Sequence, residues 1–222
     1  MLNIAIDGPV GAGKSTIADA VAARLGILHL DTGAMYRALG LTALMRGIDP
    51  KDEKAVVDLC NEIDITVKHE KDGQHTLVQG MDVTNSIRTP EVSMAASTVS
   101  RYLPVRKSMV EKQQKMAAET DMLVDGRDIC TTVLPNATVK IFLTAAPEER
   151  ARRRWIELRN KGGKETYDQV LRSVRERDEQ DMNRPVEPLR QAEDAVLVDS
   201  TALSFKQVVE QILRIVEAKR NG

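Results

Sequence analysis

Gly8-Pro9-Val10-Gly11-Ala12-Gly13-Lys14-Ser15-Thr16 follows the apolar run Asn3-Ile4-Ala5-Ile6-Asp7 and precedes a segment with Ile17, Val21 and Leu25 at i, i+4 and i+8. A Gly-x-x-x-x-Gly-Lys-Ser/Thr loop between a buried strand and an amphipathic helix has the layout of a phosphate-binding loop. Small residues let successive backbone N–H groups close around a phosphate, and the helix N-terminus adds its positive end. Lys14 is placed to reach β and γ oxygens, and Ser15 to ligate Mg²⁺. The glycines are not spaced Gly-x-Gly-x-x-Gly, which disfavours a dinucleotide site.

Outward from this loop, short apolar runs alternate with helical periodicity, the pattern of a parallel sheet covered by helices on both faces. Five runs read as buried strands: 3–7, 27–30, 122–125, 138–143 and 195–198. The first helix is expected to stop at Gly26, a residue suited to the left-handed position after a helix. Another opens at Pro147-Glu148-Glu149 and presents Ala151, Trp155 and Leu158 to the core. The last begins at Ser204, boxed by Gln207, with Phe205, Val208, Val209, Ile212 and Val216 on one face. One stretch breaks the alternation. Ile63, Ile65 and Val67 alternate with polar residues, and Lys71-Asp72-Gly73-Gln74 turns the chain into His75-Thr76-Leu77-Val78-Gln79. That is an antiparallel hairpin within a parallel pattern, so an insertion is expected at about 63–92. The remainder reads as a single domain over 1–222.

Composition excludes several classes. The 222 residues carry 32 Lys+Arg against 33 Asp+Glu, a net charge of −1, whereas nucleic-acid coats and membrane-surface binders are normally basic. Cys60 and Cys130 stand apart with no Cys-x-x-Cys or Cys/His cluster, which indicates neither a disulfide framework nor a zinc site. No apolar run reaches the ~18 residues of a membrane span, and the N-terminus lacks a signal-peptide pattern, so a cytoplasmic protein is expected. With no exposed apolar seam evident, a monomer is expected.

The loop alone says only nucleotide. A GTPase needs Asn-Lys-x-Asp, but Asn160-Lys161 runs into Gly162-Gly163; an AAA-type strand ending Asp-Glu is also missing, since Leu123-Val124-Asp125 runs into Gly126-Arg127-Asp128. Instead, arginines fall at the carboxyl ends of strands, where ligands bind in open α/β sheets. In Asp31-Thr32-Gly33-Ala34-Met35-Tyr36-Arg37, Thr32 is placed to cap a helix and Arg37 lies one turn in; Arg127 sits beside a glycine at another strand end. A helix from about Glu165 buries Tyr167, Val170, Leu171 and Val174, but the same face then reaches Arg177, Asp178 and Asp181, with Arg184 before Pro185. Charges on a core-facing stripe must line a polar cleft or pair with one another. Ala151 and Trp155 fix the core face of the preceding helix, so Arg150, Arg152, Arg153 and Arg154 are expected to point away from it, as a lid over about 152–166 with Gly162-Gly163 as hinge. Plainer readings stand beside each: a capped helix with a solvated arginine, a surface turn, a structural salt-bridge network, a basic helix face. His29, His69 and His75 receive no role.

These residues resemble bacterial cytidylate kinases, the CMP/dCMP branch of the nucleoside monophosphate kinases. The resemblance rests on Ile6-Asp7-Gly8-Pro9 and the loop, Asp31 to Arg37, Ile87-Arg88-Thr89-Pro90-Glu91-Val92, Asp125-Gly126-Arg127-Asp128 and the segment from Arg177 to Arg184, and it covers essentially the whole chain. It implies an α/β P-loop fold with a five-stranded parallel sheet, an inserted antiparallel NMP-binding subdomain and a short lid without zinc. It also implies ATP with Mg²⁺ as phosphoryl donor and CMP or dCMP as acceptor. By this resemblance residues 8–16 bind ATP. Thr32, Tyr36 and Arg37 hold CMP, with Arg37 on its phosphate; Ser97, Arg106 and Asp128 read cytosine. Arg127, Asp181 and Arg184 hold phosphate and sugar, and Arg177 with Arg150, Arg152, Arg153 and Arg154 match the lid and transfer region. Lys14, Arg127, Arg177 and Arg184 form the catalytic set. Ser15 departs from members with Gly there; its hydroxyl adds a Mg²⁺ ligand or repeats the role of Thr16. Asp128 fits the chemistry independently, because a carboxylate accepts from the cytosine N4 amine and repels the uracil O4. Two alternatives remain beside this reading: a small-metabolite P-loop kinase of shikimate or dephospho-coenzyme A type, and a nucleotide-sensing module without catalysis.

Overall fold

The computed structural model describes residues 1–70, 73–160 and 162–221. In chain order the elements are β1 (Asn3–Asp7), α1 (Lys14–Leu25), β2 (Leu28–Asp31), α2 (Thr32–Met45), α3 (Glu53–Glu62), β3 (Ile65–Glu70), β4 (Gly73–Val78) and β5 (Met81–Asp82). They continue with α4 (Pro90–Val99), α5 (Leu103–Ala117), β6 (Met122–Gly126), β7 (Val139–Thr144), α6 (Pro147–Asn160), α7 (Tyr167–Asn183), β8 (Val196–Asp199) and α8 (Phe205–Asn221). A five-stranded parallel sheet has the order β2-β6-β1-β7-β8, and β3-β4-β5 form a separate three-stranded sheet. The five strands read from the sequence are therefore the five strands of the main sheet, each within a residue or so of its expected bounds.

The chain divides into two compact units, Met1–Ile27 with Leu123–Gly222, and Leu28–Met122. In the first, β1 pairs in parallel with β7 and β7 with β8. Ile4, Ala5 and Ile6 are all fully buried, as expected of a central parallel strand with neither face in water. Its core joins Ile4, Ile6, Ile141, Leu143 and Val198 to Ile17 and Val21 of α1 and Val208, Ile212 and Val216 of α8. Gly26 ends α1 at φ 66, and its N–H donates to the Ala22 carbonyl, the left-handed stop expected of it. One expectation is corrected. The run at 195–198 is not a buried strand: β8 lies at the sheet edge, and Leu197 is 51% exposed because only one of its faces is covered.

In the second unit β3 and β4 are antiparallel, with Ile65 opposite Val78 and Glu70 opposite Gly73. The expected turn residues Lys71 and Asp72 lie outside the described residues, as does Lys161 of the expected lid. The sequence placed the insertion at about 63–92; the antiparallel sheet itself spans 65–82, and β5, two residues long, is too short to show a period. Among the described residues no helix is long and apolar enough to cross a membrane.

Candidate active site

In the first unit the loop after β1 is shaped by its glycines. A Cβ on Gly8 would collide with the Leu143 carbonyl oxygen, so only glycine lets the chain turn off β1 beside β7. Gly13 precedes α1 at φ 87 and brings no side chain to cap it, which leaves the first N–H groups of α1 facing the loop. Lys14 is 6% exposed, and its Nζ donates to the carbonyls of Gly8 at 2.8 Å and Pro9 at 3.0 Å. Burial, reinforced by the nearby Arg127 guanidinium, pushes its ammonium down to about 7. Ser15 Oγ donates to Asp125 Oδ2 at 3.1 Å.

The charged stripe of α7 is paired rather than solvated. Asp181 accepts from Arg127 Nε at 2.8 Å on one carboxylate oxygen and from Arg177 Nε at 3.3 Å on the other. Burial alone would raise the Asp181 carboxyl, but the Arg127 and Arg177 guanidiniums outweigh it and hold it below the usual range. Arg184, the first non-helical residue after α7, donates from Nη2 to Asp128 Oδ1 at 3.0 Å. The structure thus brings together Arg127, Arg177 and Asp181, and separately Asp128 and Arg184, whereas the resemblance groups Arg184 with Arg127 and Asp181, and Asp128 with Ser97 and Arg106.

A residue the sequence reading gave no role supports this arrangement. Asp7, fully buried at the end of β1, accepts from the N–H groups of Ile129 and Cys130, both at 2.8 Å. These open the π-helical turn Ile129–Val133 that follows Asp128, so one carboxylate ties the root of the phosphate-binding loop to the segment carrying Arg127 and Asp128. Burial pushes its carboxyl up to about 6 in spite of the two N–H donors. The only sequence signal is an acid at the end of a mostly apolar strand; the N–H groups that donate to it lie more than a hundred residues away.

The arginines of α6 need a correction. Arg150 does not point away from the core: it is 3% exposed and forms a two-pronged pair with Asp178, Nη1 to Oδ1 at 3.0 Å and Nη2 to Oδ2 at 2.6 Å. It also donates to the Ala145 carbonyl at 2.7 Å and to the Val10 carbonyl of the phosphate-binding loop at 3.0 Å. Ala151 is buried beside it, whereas Trp155 and Leu158 are only partly buried, which leaves room on the inner face for a guanidinium with a matched acid. Arg152 and Arg153 both pair with Glu149, Arg153 also reaches Ser200, and Arg154 pairs with Glu157.

In the second unit, α2 is capped by Asp31 and not by Thr32. Asp31 keeps extended backbone (φ −77, ψ 96) and its Oδ1 accepts from Ala34 N–H at 3.1 Å, while Thr32 is already the first helical residue. Its Oδ2 lies 3.5 Å from Arg37 Nη1 and 3.9 Å from Arg88 Nη2. Burial pushes the Asp31 carboxyl up, and the two guanidiniums more than reverse this, leaving it below the usual range. Arg88, within a motif the sequence quoted but assigned no role, is thereby placed with Arg37. Arg106 is 2% exposed, donates to the Ser100 carbonyl at 3.2 Å and stands 5.9 Å from the centre of the Tyr36 ring. Ser97 is buried on α4, and its carbonyl accepts from the Ser100 hydroxyl. Among the described residues no group of His, Cys, Asp or Glu is spaced as a metal cage.

Comparison with known proteins adds to this geometry. The cytidylate kinase family model matches residues 4–218. The cytidylate kinase of Caldicellulosiruptor bescii is 51% identical over 214 residues, 96% of this chain and 95% of that protein. That of Bacillus subtilis is 46% identical over 218 residues, 98% of this chain and 97% of the relative. Among solved structures, an uncharacterized protein from Eubacterium ventriosum aligns with a TM-score of 0.56 over 98% of this chain and 99% of its own, at 9% identity, a likeness of fold alone. With the family model spanning nearly all of the chain and full-length relatives about half identical to it, the chain belongs to the cytidylate kinase family of phosphotransferases.

Proposed function

We propose that this chain transfers the γ-phosphoryl group of ATP to CMP or dCMP, giving ADP and CDP or dCDP, by direct in-line displacement. The observation that carries the reading is the gathering, in one compact unit, of Lys14 on the phosphate-binding loop with the Arg127–Asp181–Arg177 and Arg184–Asp128 pairs. Phosphoryl transfer leaves little covalent work for the protein; positioning and neutralisation of charge on the moving group supply the rate. Lys14 follows that charge, and Arg127, Arg177 and Arg184 neutralise it. The attacking oxygen of the CMP phosphate is already anionic, so no general base is needed.

Mg²⁺ fits the donor set: Ser15 Oγ and the Asp125 carboxylate meet at 3.1 Å, and hydroxyl and carboxylate oxygens are its preferred ligands. Ser15 and Asp125 would hold the ion, which would supply positive charge against the phosphate oxygens of ATP. On the acceptor side, Arg37 is assigned to the CMP phosphate, Thr32 and Tyr36 to the nucleotide, and Ser97, Arg106 and Asp128 to the base. Residues 152–166 are assigned as the lid. Arg152, Arg153 and Arg154 are exchangeable contacts there, because each is held by a nearby glutamate that is at least partly exposed. The chain is further assigned as a cytoplasmic monomer acting on free nucleotides, without nucleic acid or membrane partners.

The test is ADP release with Mg·ATP and matched concentrations of CMP, dCMP, UMP, AMP, GMP and shikimate. Turnover with CMP and dCMP well above UMP is expected, and turnover only with a non-nucleotide acceptor overturns the reading. Asp128→Ala is expected to lower kcat/KM for CMP by about 100-fold or more while KM for ATP stays within about twofold, because a site built to accept from the N4 amine loses its discriminating group.

A further inference from the structure

Gln74, the second residue of β4, meets the main chain of Asp31 with both ends of its side-chain amide. Asp31 N–H donates to Gln74 Oε1 at 2.7 Å, and Gln74 Nε2 donates to the Asp31 carbonyl at 3.3 Å and to Thr76 Oγ1 at 3.3 Å. The amide orientation is dictated by its partners, since a backbone N–H can only donate and a carbonyl only accept. β2 is an edge strand, and Asp31 is its last residue. A strand edge with exposed N–H and C=O invites a partner, and here one side chain supplies the peptide-like pair that a neighbouring strand would. A second strut lies beside it, where the His69 ring nitrogen meets the His29 carbonyl at 2.6 Å.

What Gln74 holds is the junction on which the acceptor residues depend. Asp31 caps α2 with one carboxylate oxygen and faces Arg37 and Arg88 with the other, which no hydrogen bond reaches. That oxygen is steered by charge alone, so a small rotation of the Asp31 backbone moves the carboxylate relative to both guanidiniums. We infer that Gln74 is a positioning residue for the acceptor phosphate: it locks the Asp31 backbone so that the carboxylate presents Arg37 and Arg88 in the orientation that binds CMP. This rests on the assignment of Arg37 to the CMP phosphate and gives the three-stranded sheet of this chain a task, bracing the start of α2.

The experiment compares Gln74→Ala, and Gln74→Met, which keeps the side chain's length and removes its amide, with the unaltered enzyme. Initial rates are measured with CMP varied at saturating ATP and with ATP varied at saturating CMP; CMP binding is also measured directly without ATP. Loss of one or two neutral hydrogen bonds predicts a rise in KM and Kd for CMP of about five- to tenfold. KM for ATP and kcat are expected to stay within about twofold. In an Arg37→Ala background, itself weak for CMP, the Gln74 substitutions should add little, since both act through one route. Unchanged CMP affinity in both Gln74 variants, equal shifts in both KM values, or full additivity with Arg37→Ala overturns the inference. An Arg37→Ala enzyme with normal CMP affinity overturns instead the phosphate assignment beneath it.

Discussion

Lys14 combines two properties that pull in opposite directions. It must be charged to hold phosphate, yet its nearly complete burial lowers its ammonium to about 7, with the Gly8 and Pro9 carbonyls accepting from it. At pH 8 a group with that value is only about one-tenth protonated. A polyphosphate beside it favours the charged form, so ATP binding at pH 8 should take up close to one proton, and kcat/KM for ATP should fall as pH rises above about 7. Calorimetry in two buffers of different ionisation enthalpy reads the uptake directly; equal heats in both would show that Lys14 is already charged. The loop itself was legible because its chemistry is local: Gly8 to Thr16 give its spacing within nine consecutive residues, and the structure places Lys14 at the start of α1. Asp7 illustrates the opposite case. Its two N–H partners at Ile129 and Cys130 become neighbours only when β1 and β6 enter one sheet, and no spacing within either segment announces them.

At the scale of elements, α6, α7 and the phosphate-binding loop meet at the Arg150–Asp178 clasp. The inward turn of α7's charges was readable, because Val170 and Val174 fix a face that must continue through Asp178 and Asp181. The partner of Asp178 was not, since Arg150 lies next to Ala151 on a helix whose large residues, Trp155 and Leu158, only partly fill the interface. Breaking a buried pair on one side leaves an uncompensated charge, so Arg150→Met should destabilise the fold by about 3–5 kcal/mol. Arg150→Met with Asp178→Leu should recover most of that loss, as apolar replacement of a buried pair is often neutral. Both changes remove the donor to the Val10 carbonyl, so KM for ATP should remain raised even where stability returns. Urea denaturation and ATP kinetics on the single and double variants check this; a double variant with normal KM for ATP would show that the clasp serves stability only. Asp31 carries the same lesson on a smaller scale. Thr32 and Asp31 are both good caps, and which one acts is settled by where β2 releases the chain, a matter of tertiary pairing rather than propensity.

For the molecule as a whole, the chain passes between its two compact units only twice, at 27–28 and at 122–123, and each unit holds its own buried apolar residues. Each also holds one buried thiol, Cys60 on α3 in the second unit and Cys130 in the first, 6% and 1% exposed, and burial raises the pKa of both. A thiol reagent therefore reaches either cysteine only through opening of its surroundings, and where reclosing is faster than labelling the rate reports the open population. A ligand that binds only the closed form lowers that population by a factor of 1 + [L]/Kd. The loop Gly8 to Thr16, to which ATP binding is assigned, lies wholly in the first unit. Mg·ATP at about 100 times its Kd should thus slow Cys130 labelling roughly 100-fold while Cys60 changes by less than about twofold, read by mass spectrometry of each peptide. If both cysteines slow equally, the two units open only together, and ATP binding protects the second unit as much as the first.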